Sequence, residues 1–460
     1  MIVPQTRLLL WFGAVVLPCA AAAAIVPSAP MAPLALAGAL LVALVALIDL
    51  VRAHGVLDGI GVELPDVVRL TKDREGQIEV KVRNERQKAM RVRFGLAFPR
   101  EVRSPNEDRT AVLPSGSQHS RFLWPCTAIQ RGAYVLQNCY LETNSPLGFW
   151  AVHAVAPARS ELRVYPNLGH ERKNLAALFL NRGSFGVHTQ RQIGKGREFE
   201  KLREYIPGDS SEDIHWKATA KRGRPVTKVF QIERTQEVYV IIDASRLSAR
   251  NLNNAEFTDP NLEPNTLNPG LPPSMLEGFI TAALVLGIAA ERQGDLFGLV
   301  TFSNKVHKFI RARNGKQHYG TCRDALFGLQ PQIVNPDFDD LCAFLRLRLR
   351  RRALLVFLTN LDDPILAESF VHNMDLISGQ HLVLVNMLRP RNVAPVFADA
   401  QVTTVDDIYQ RLGGHLLWHN LRELEKTLQH RSVQFAQLDN EKMSAQLVSQ
   451  YLAVKRRQLL

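Results

Sequence analysis

Two long apolar stretches dominate the pattern of hydrophobic and polar positions at the start of the chain. Residues 8–26 are almost wholly apolar and carry no charge, and residues 31–48 form a second stretch rich in Leu, Ala and Val. Helices of this length match a bilayer hydrocarbon core of about 30 Å. Backbone groups in lipid must bond to one another, so the stretches predict two transmembrane helices within residues 1–55.

A few basic residues around these stretches predict their orientation. Arg7 precedes the first stretch, and Arg52, Lys72 and Arg74 follow the second, whereas residues 27–30 contain no Lys or Arg. Because basic flanks stay inside, this distribution predicts a multi-pass protein of the cell inner membrane with cytoplasmic soluble domains. The alternative for the first stretch is a secretory signal peptide, which also has a basic start and an apolar core.

Residues 56–165 show a period of two. Ile78, Val80 and Val82 alternate with charged residues, and the same alternation runs over residues 90–98. This pattern places one face of each strand on a core and the other in water. Turn-rich breaks separate further short strands without intervening helices, so the segment predicts an all-β sandwich domain.

Residues 236–460 alternate between continuous apolar runs and helical patterns. The runs are typical of parallel strands buried on both faces, and they lie at 238–242, 296–302, 354–358 and 382–385. The helical patterns between and after them lie at 275–292, 338–351 and 441–457, the last preceded by a strand pattern at 432–438. This alternation predicts a doubly wound parallel α/β sheet.

Charge and cysteine content narrow the class of partner and compartment. The net charge is +12 and the pI about 9.6, which favours nucleic acid or an anionic membrane surface as a neighbour. The arginines at 346–352 form either a nucleic-acid or lipid-headgroup patch or a solvated helix end. The helix end is favoured because no aromatic residues interleave for base stacking, and no nucleic-acid partner is predicted. The five cysteines are scattered, which argues for free thiols in a reducing compartment.

The connecting segment 166–235 contains one stretch with unusually dense charged and aromatic residues. Its Pro-Gly-Asp at 207–209 is a turn signal, and Ser210 or Ser211 can cap a short helix that ends before Gly223. A capped helix alone does not explain the density of Glu, Arg, Asp and Trp in this stretch.

This stretch resembles the signature of the domain-of-unknown-function 58 family. The signature pairs a Phe-x-x-Leu-Arg-x-Tyr-x-Pro-Gly-Asp run with an Ile-x-Trp-Lys-x-x-Ala run. The residues that carry the resemblance here are Phe199, Leu202, Arg203, Tyr205, Pro207, Gly208, Asp209, Ile214, Trp216, Lys217 and Ala220. Preceding strand motifs and the closing helix also resemble the family, so the expected likeness covers nearly the whole chain.

The resemblance implies a membrane-anchored protein with a von Willebrand factor A-like α/β domain. It also implies partnership with AAA+ ATPases of the MoxR type in assembly or stress-related roles. No catalytic residues come with the family, so the chain is predicted not to be an enzyme. The expected domains are a transmembrane hairpin at 1–55, a β-sandwich at 56–165, the signature segment at 166–235 and the α/β domain at 236–460.

Von Willebrand A domains often bind Mg²⁺ through a D-x-S-x-S motif, and this chain carries a degenerate form of it. Asp243 and Ser245 match the first two places, whereas Leu247 offers no oxygen at the third. Asn360 stands at a later aspartate position, where Asp362 is the candidate substitute. Asp243, Ser245 and Asp362 are therefore the candidate ligands of a Mg²⁺ ion, with turn capping at strand ends as the favoured alternative.

The leading hypothesis is a bacterial, membrane-anchored interaction protein that serves a MoxR-type ATPase and client proteins. The long Asn- and Pro-rich loop at 248–274 is a candidate partner contact. One alternative is a metal-dependent, adhesion-type ligand binder. Another is a hydrolase that uses the acidic residues at 198–213, although ion pairing explains these carboxylates more simply.

Overall fold

A computed structural model gives the fold as two compact units. The structure describes residues 1–25, 31–169, 171, 193–206, 210–211, 214–231, 236–250, 274–390, 393–396 and 405–457. The first unit comprises residues 1–167, and the second comprises the described residues from 168 onward. The finer division into four segments stays a prediction.

The first unit contains two β-sheets around one core. Its strands are β1 (Ile2–Pro4), β2 (Ile60–Glu63), β3 (Val67–Thr71), β4 (Glu75–Asn84), β5 (Met90–Leu96), β6 (Val102–Arg103), β7 (Asp108–Leu113), β8 (His119–Ala128), β9 (Gly132–Asn144) and β10 (Trp150–Tyr165). One sheet has the order β1-β10-β9-β5-β7, with β3 parallel to β10, and the other has the order β2-β4-β8-β6. Ile78, Val80 and Val82 are fully buried or nearly so, as the period of two predicts.

Two helices precede the sheets of this unit. Helix α1 spans Thr6–Ile25 and helix α2 spans Met31–Ala53. Their described leucines are largely exposed, as expected of side chains that face lipid. By length and composition, one described helical segment, Leu36–Ala53, is long and apolar enough to cross a membrane, and Thr6–Pro18 forms a shorter apolar segment.

Polar contacts attach α2 to the sheet that contains β10. Asp49 is fully buried and accepts hydrogen bonds from Ser145 Oγ at 2.5 Å, Leu147 N at 3.0 Å and Phe149 N at 3.3 Å. Trp150 Nε1 donates to the carbonyl of Ala46 at 2.8 Å. The turn between β9 and β10 is therefore anchored on the last part of α2.

The second unit is built on a six-stranded sheet. Its strands are β13 (Glu237–Asp243), β14 (Leu296–Phe302), β15 (Val306–Arg313), β16 (Leu354–Leu358), β17 (Leu382–Leu388) and β18 (Val433–Leu438). The order is β15-β14-β13-β16-β17-β18, and every pairing is parallel except that of β15 with β14. The predicted mixed α/β architecture is confirmed.

Helices cover both faces of this sheet. They are α4 (Met275–Arg292), α5 (Lys316–Leu326), α6 (Phe338–Arg348), α7 (Pro364–Ser378), α8 (Val405–His430) and α9 (Met443–Arg456), and a short 3-10 turn at Asn440–Lys442 precedes α9. Side chains of α4, α5 and α9 form one core with the sheet, and those of α6, α7 and α8 form a second. The predicted closing helix is confirmed, because Leu447, Tyr451 and Val454 of α9 are buried.

A separate two-stranded ribbon precedes the sheet of the second unit. Strand β11 (Ile193–Glu204) pairs antiparallel with β12 (Val226–Gln231), with Glu204 opposite Val226. Helix α3 (Trp216–Arg222) lies between the two strands in the chain. This ribbon and helix carry the described part of the sequence signature.

Candidate functional site

The signature residues Tyr205 and Trp216 lie at the same end of the two-stranded ribbon. The backbone N–H of Tyr205 donates to the carbonyl of Pro225 at 3.0 Å, and that of His215 donates to Val226 at 2.7 Å. Strand β12 therefore begins between the segments that carry Tyr205 and Trp216. Trp216 is 70% exposed, and Tyr205 and its neighbour Ile206 are 37% and 56% exposed.

Helix α3 begins later than the sequence predicts. Its N-cap is His215, whose Nδ1 accepts a hydrogen bond from Ala218 N at 3.0 Å, rather than Ser210 or Ser211. Ile214 forms a β-bridge with Thr227, so the chain is still extended immediately before the helix. The predicted end is confirmed, because Gly223 has φ 63° and donates its N–H to the carbonyl of Thr219.

Charged residues lie on the same ribbon and helix as the exposed Tyr205, Ile206 and Trp216. Lys217 is exposed on α3. Arg203 donates to the carbonyl of Glu204 at 3.4 Å, and the Glu204 carboxylate pairs with Arg224 at 3.2 Å. An exposed carboxylate with a cationic partner needs no catalytic explanation.

Four predicted signature residues cannot be placed in this site. Pro207, Gly208 and Asp209 lie outside the described residues, as does the side chain of Phe199 in β11. The predicted partner-contact loop at 248–274 also lies outside them over residues 251–273.

The candidate metal ligands lie at the carboxyl edge of the six-stranded sheet. Asp243 ends β13 and is fully buried, and burial raises the pKa of its carboxyl above the usual value of 3.8. Its Oδ1 accepts from the backbone N–H of Ser245 at 2.8 Å, and its Oδ2 accepts from Thr359 Oγ1 at 2.6 Å. Ser245 is also fully buried, and its Oγ accepts from Leu247 N at 3.3 Å.

Two arginines neutralise the acidic loop at this edge. The guanidinium of Arg250 bonds to the carboxylate of Asp362, and that of Arg246 lies 3.3 Å from the carboxylate of Asp363. Asp363 also caps α7 by accepting from Ile365 N at 3.1 Å. The charge at the predicted third ligand is thus already matched by a cation from the chain itself.

These side chains match the oxygen set that Mg²⁺ requires only in part. Leu247 is fully buried at the third motif place, Asn360 is uncharged, and a guanidinium engages Asp362. Within the described residues, no group of three or more His, Cys, Asp and Glu has a metal-binding arrangement. A Mg²⁺ site at Asp243, Ser245 and Asp362 stays a prediction that calorimetric titration tests.

Sequence reasoning missed two polar groups at this edge. The buried Ser303 follows β14, and its Oγ lies 2.7 Å from His307 Nε2 and 2.9 Å from Gln332 Oε1. Burial lowers the pKa of His307, which favours the neutral imidazole. Arg250 is the other missed group. Its pairing with Asp362 joins positions more than a hundred residues apart and leaves no local pattern.

Comparison with known proteins gives a family match that includes part of the signature. The family model described as "Protein of unknown function DUF58" matches residues 201–253 and 274–405. Uncharacterized proteins from Mycobacterium bovis and Mycobacterium tuberculosis are 24% identical over 211 residues, which cover 45% of this chain and 60% of each relative. These matches support the DUF58 family. The chain thus spans less than two thirds of the curated relatives that it matches.

The DUF58 match begins inside β11 and ends at the first residue of α8. It therefore includes the exposed Tyr205 and Trp216 and the carboxyl edge of the sheet. Residues 1–200 lie outside it, so the family match is narrower than the whole-chain likeness expected from the sequence.

Solved structures similar to this chain align at low scores. An aerotolerance-related membrane protein from Bacteroides fragilis aligns over 47% of this chain and 99% of its own, with 13% identity and a TM-score of 0.28. Proximal thread matrix protein 1 from the mussel byssus covers 46% of this chain and 43% of its own, with 12% identity and a TM-score of 0.24. Scores this low carry no argument about fold or function.

Proposed function

We propose that this DUF58 chain is a membrane-anchored interaction protein that serves a MoxR-type AAA+ ATPase and its client proteins. In this proposal, α1 and α2 both span the inner membrane, both units are cytoplasmic, and the chain has no catalytic role of its own. The exposed Trp216, with Tyr205 and Ile206 at the same end of the ribbon, is the observation that carries the proposal.

The exposure of Trp216 argues for a partner surface. Folding alone favours burial of a large aromatic side chain, because its apolar area is the main stabilising contribution it offers. Trp, Tyr and Arg are also the residues most enriched among those that dominate binding energy at protein interfaces. The ribbon presents Trp216 and Tyr205 beside Arg203 and Lys217, a combination suited to a partner with apolar and acidic groups.

The exposed helices support the anchoring part of the proposal. Leu9, Leu10 and Leu17 of α1 and Leu40 and Leu44 of α2 are each more than half exposed. A soluble protein would bury such a surface, whereas lipid solvates it.

We further propose that the six-stranded sheet is of the von Willebrand A type. An antiparallel edge strand, β15, on an otherwise parallel sheet covered by helices on both faces is compatible with that fold. The first central strand, β13, ends at Asp243, where such domains place their metal motif. The interaction hypothesis does not require the ion.

Affinity capture tests the partnership. The full-length chain, in detergent and with nucleotide present, should recover a MoxR-type ATPase from the membrane fraction of its own cells. Trp216→Ala should lower that recovery about tenfold or more, since truncation of a dominant interface residue costs roughly 2 kcal/mol or more.

A matched control separates a local effect from general loss of surface. Tyr409 of α8 lies outside the signature sequence and is 69% exposed, comparable with Trp216. Tyr409→Ala should leave recovery unchanged. Equal recovery with the wild-type chain and with Trp216→Ala would contradict a role for the ribbon. No recovery of any ATPase by the wild-type chain would contradict the partnership itself.

A further inference from the structure

Five exposed arginines lie together where α6 ends and β16 begins. Arg346 and Arg348 belong to the last turn of α6, and Arg350, Arg351 and Arg352 occupy the positions before Ala353. Within the described part of the chain, four of them make no ion pair with a carboxylate, namely Arg346, Arg348, Arg350 and Arg351. They are therefore available to bind an external anion.

Local contacts fix this cluster at the amino edge of the parallel sheet. Gln380 Nε2 donates to the carbonyl of Arg350 at 3.0 Å, and Leu382 N donates to the carbonyl of Ala353 at 3.0 Å. These bonds tie the segment to the start of β17. The carboxylates Asp339 and Asp340 lie in the first turn of α6, at the opposite end of that helix, so they do not neutralise the arginines.

An apolar side chain projects from the middle of the cluster. Leu347 is 78% exposed between Arg346 and Arg348, and the Arg348 guanidinium lies 5.6 Å from the centre of the Phe344 ring. Cations that flank an exposed leucine suit the lipid–water interface, where the headgroup region takes the charges and the acyl boundary takes the apolar chain. A polyanion in solution offers nothing to the leucine.

We propose that the basic edge formed by Arg346, Leu347, Arg348, Arg350 and Arg351 binds the headgroups of anionic phospholipids in the bilayer that anchors the chain. The proposal rests on the membrane anchoring proposed above, since anchoring keeps lipid within reach. Each arginine near an anionic surface strengthens the contact roughly fivefold, and a Debye length of about 8 Å at physiological salt limits this attraction to close approach.

Amide hydrogen exchange of the full-length chain in lipid nanodiscs tests this edge. Exchange of residues 344–352 should slow about fivefold or more when about one third of a neutral phosphatidylcholine bilayer is replaced by phosphatidylglycerol. The added protection should disappear at about 1 M salt, where the Debye length is about 3 Å. A variant with Arg346, Arg348, Arg350 and Arg351 all changed to Gln should show no difference between the two bilayers.

A charge-matched variant provides the control. Changing Lys305, Arg311, Arg313 and Lys316 to Gln removes four exposed cations from the region of β15 and the start of α5, and it should leave the lipid-dependent protection intact. Loss of protection in both variants would show that only net charge matters, which overturns the proposal. Equal protection by soluble polyglutamate or RNA in neutral discs would also overturn it, because the edge would then bind polyanions without lipid.

The anchor and the basic edge can fail separately in these experiments. A chain that inserts into neutral and anionic discs alike, but shows identical exchange of residues 344–352 in both, keeps the proposed anchoring and loses the basic edge. A chain that enters neither kind of disc loses the anchoring. In that case, flotation of the wild-type and four-Gln chains with phosphatidylglycerol vesicles still tests the edge, and equal flotation would overturn it.

Discussion

Asp49 is a buried carboxylate at the end of an apolar helix, and its environment explains why it is tolerated there. Three donors from the β9–β10 turn satisfy it, namely Ser145 Oγ and the backbone N–H groups of Leu147 and Phe149. A buried polar group is tolerated when such hydrogen bonds replace its hydration. Asp49 therefore links the apolar helix α2 specifically to the sheets of the first unit.

Replacement of Asp49 by Ala should destabilise the first unit, because two buried donors and one partly buried donor lose their acceptor together. We expect a loss of about 2–4 kcal/mol in the free energy of unfolding, measured by urea unfolding of the full-length chain in detergent. Asp58→Ala removes an exposed carboxylate nearby and should change stability by less than about 0.5 kcal/mol. A similar small effect of both substitutions would show that α2 is not held through Asp49.

His381 predicts a pH dependence of stability. The residue precedes β17, is 3% exposed, and neither ring nitrogen has a hydrogen-bond partner among the described residues. Burial lowers the pKa of the imidazole below its usual value of 6.5. As pH falls below 6.5, the unfolded chain takes up the proton first, so the stability present above 6.5 is progressively lost.

Replacement of His381 by Phe should therefore flatten the stability profile between about pH 6.5 and pH 5, measured by thermal unfolding across that range. His372→Gln, at an exposed position of α7, should retain the wild-type slope. An unchanged slope in His381→Phe would mean that the acid sensitivity of the chain arises elsewhere.

At the scale of elements, long periodic patterns were the most informative part of the sequence. Helix α4 has the predicted bounds, and β18 and α9 lie where the closing strand and helix were expected. Each of these elements buries a full face of apolar side chains, and that burial imposes a period on the sequence. The alternation in β4 and β5 predicts their buried faces for the same reason.

Elements held by long-range bonds were not predictable in this way. Strand β1 is three residues long and exists through its pairing with Trp150, Ala151 and Val152 in β10. The start of α3 was expected too early, because the bridge from Ile214 to Thr227 overrides the caps available at Ser210 and Ser211. At the carboxyl edge of the six-stranded sheet, the D-x-S motif identifies Asp243. No sequence pattern identifies Arg250, because its partner Asp362 lies far away in the chain.

At the scale of the whole molecule, the first unit constrains the topology of its own apolar helices. Strand β1, immediately before α1, pairs with β10, and Ala53 at the end of α2 is buried in the core of the same unit. Both outer ends of the helix pair are therefore attached to one folded unit. If both helices span a bilayer as proposed, it cannot separate these ends, so the pair would enter and leave on the same side.

Reporter fusions test whether α1 and α2 cross the bilayer as a hairpin whose two outer ends lie on the same side. Alkaline phosphatase, which is active only outside the cytoplasm, should be active when fused after residue 28, between the two apolar helices. It should be inactive when fused after residue 60, because the positive flanks hold both ends inside. A fluorescent protein that folds only in the cytoplasm should give the reverse pattern.

Phosphatase activity at residue 60 but not at residue 28 would place both units outside, where no ATP-driven partner could reach Trp216. Activity at both positions would mean that α2 does not cross the bilayer, and α1 would then be a cleaved leader or the single span.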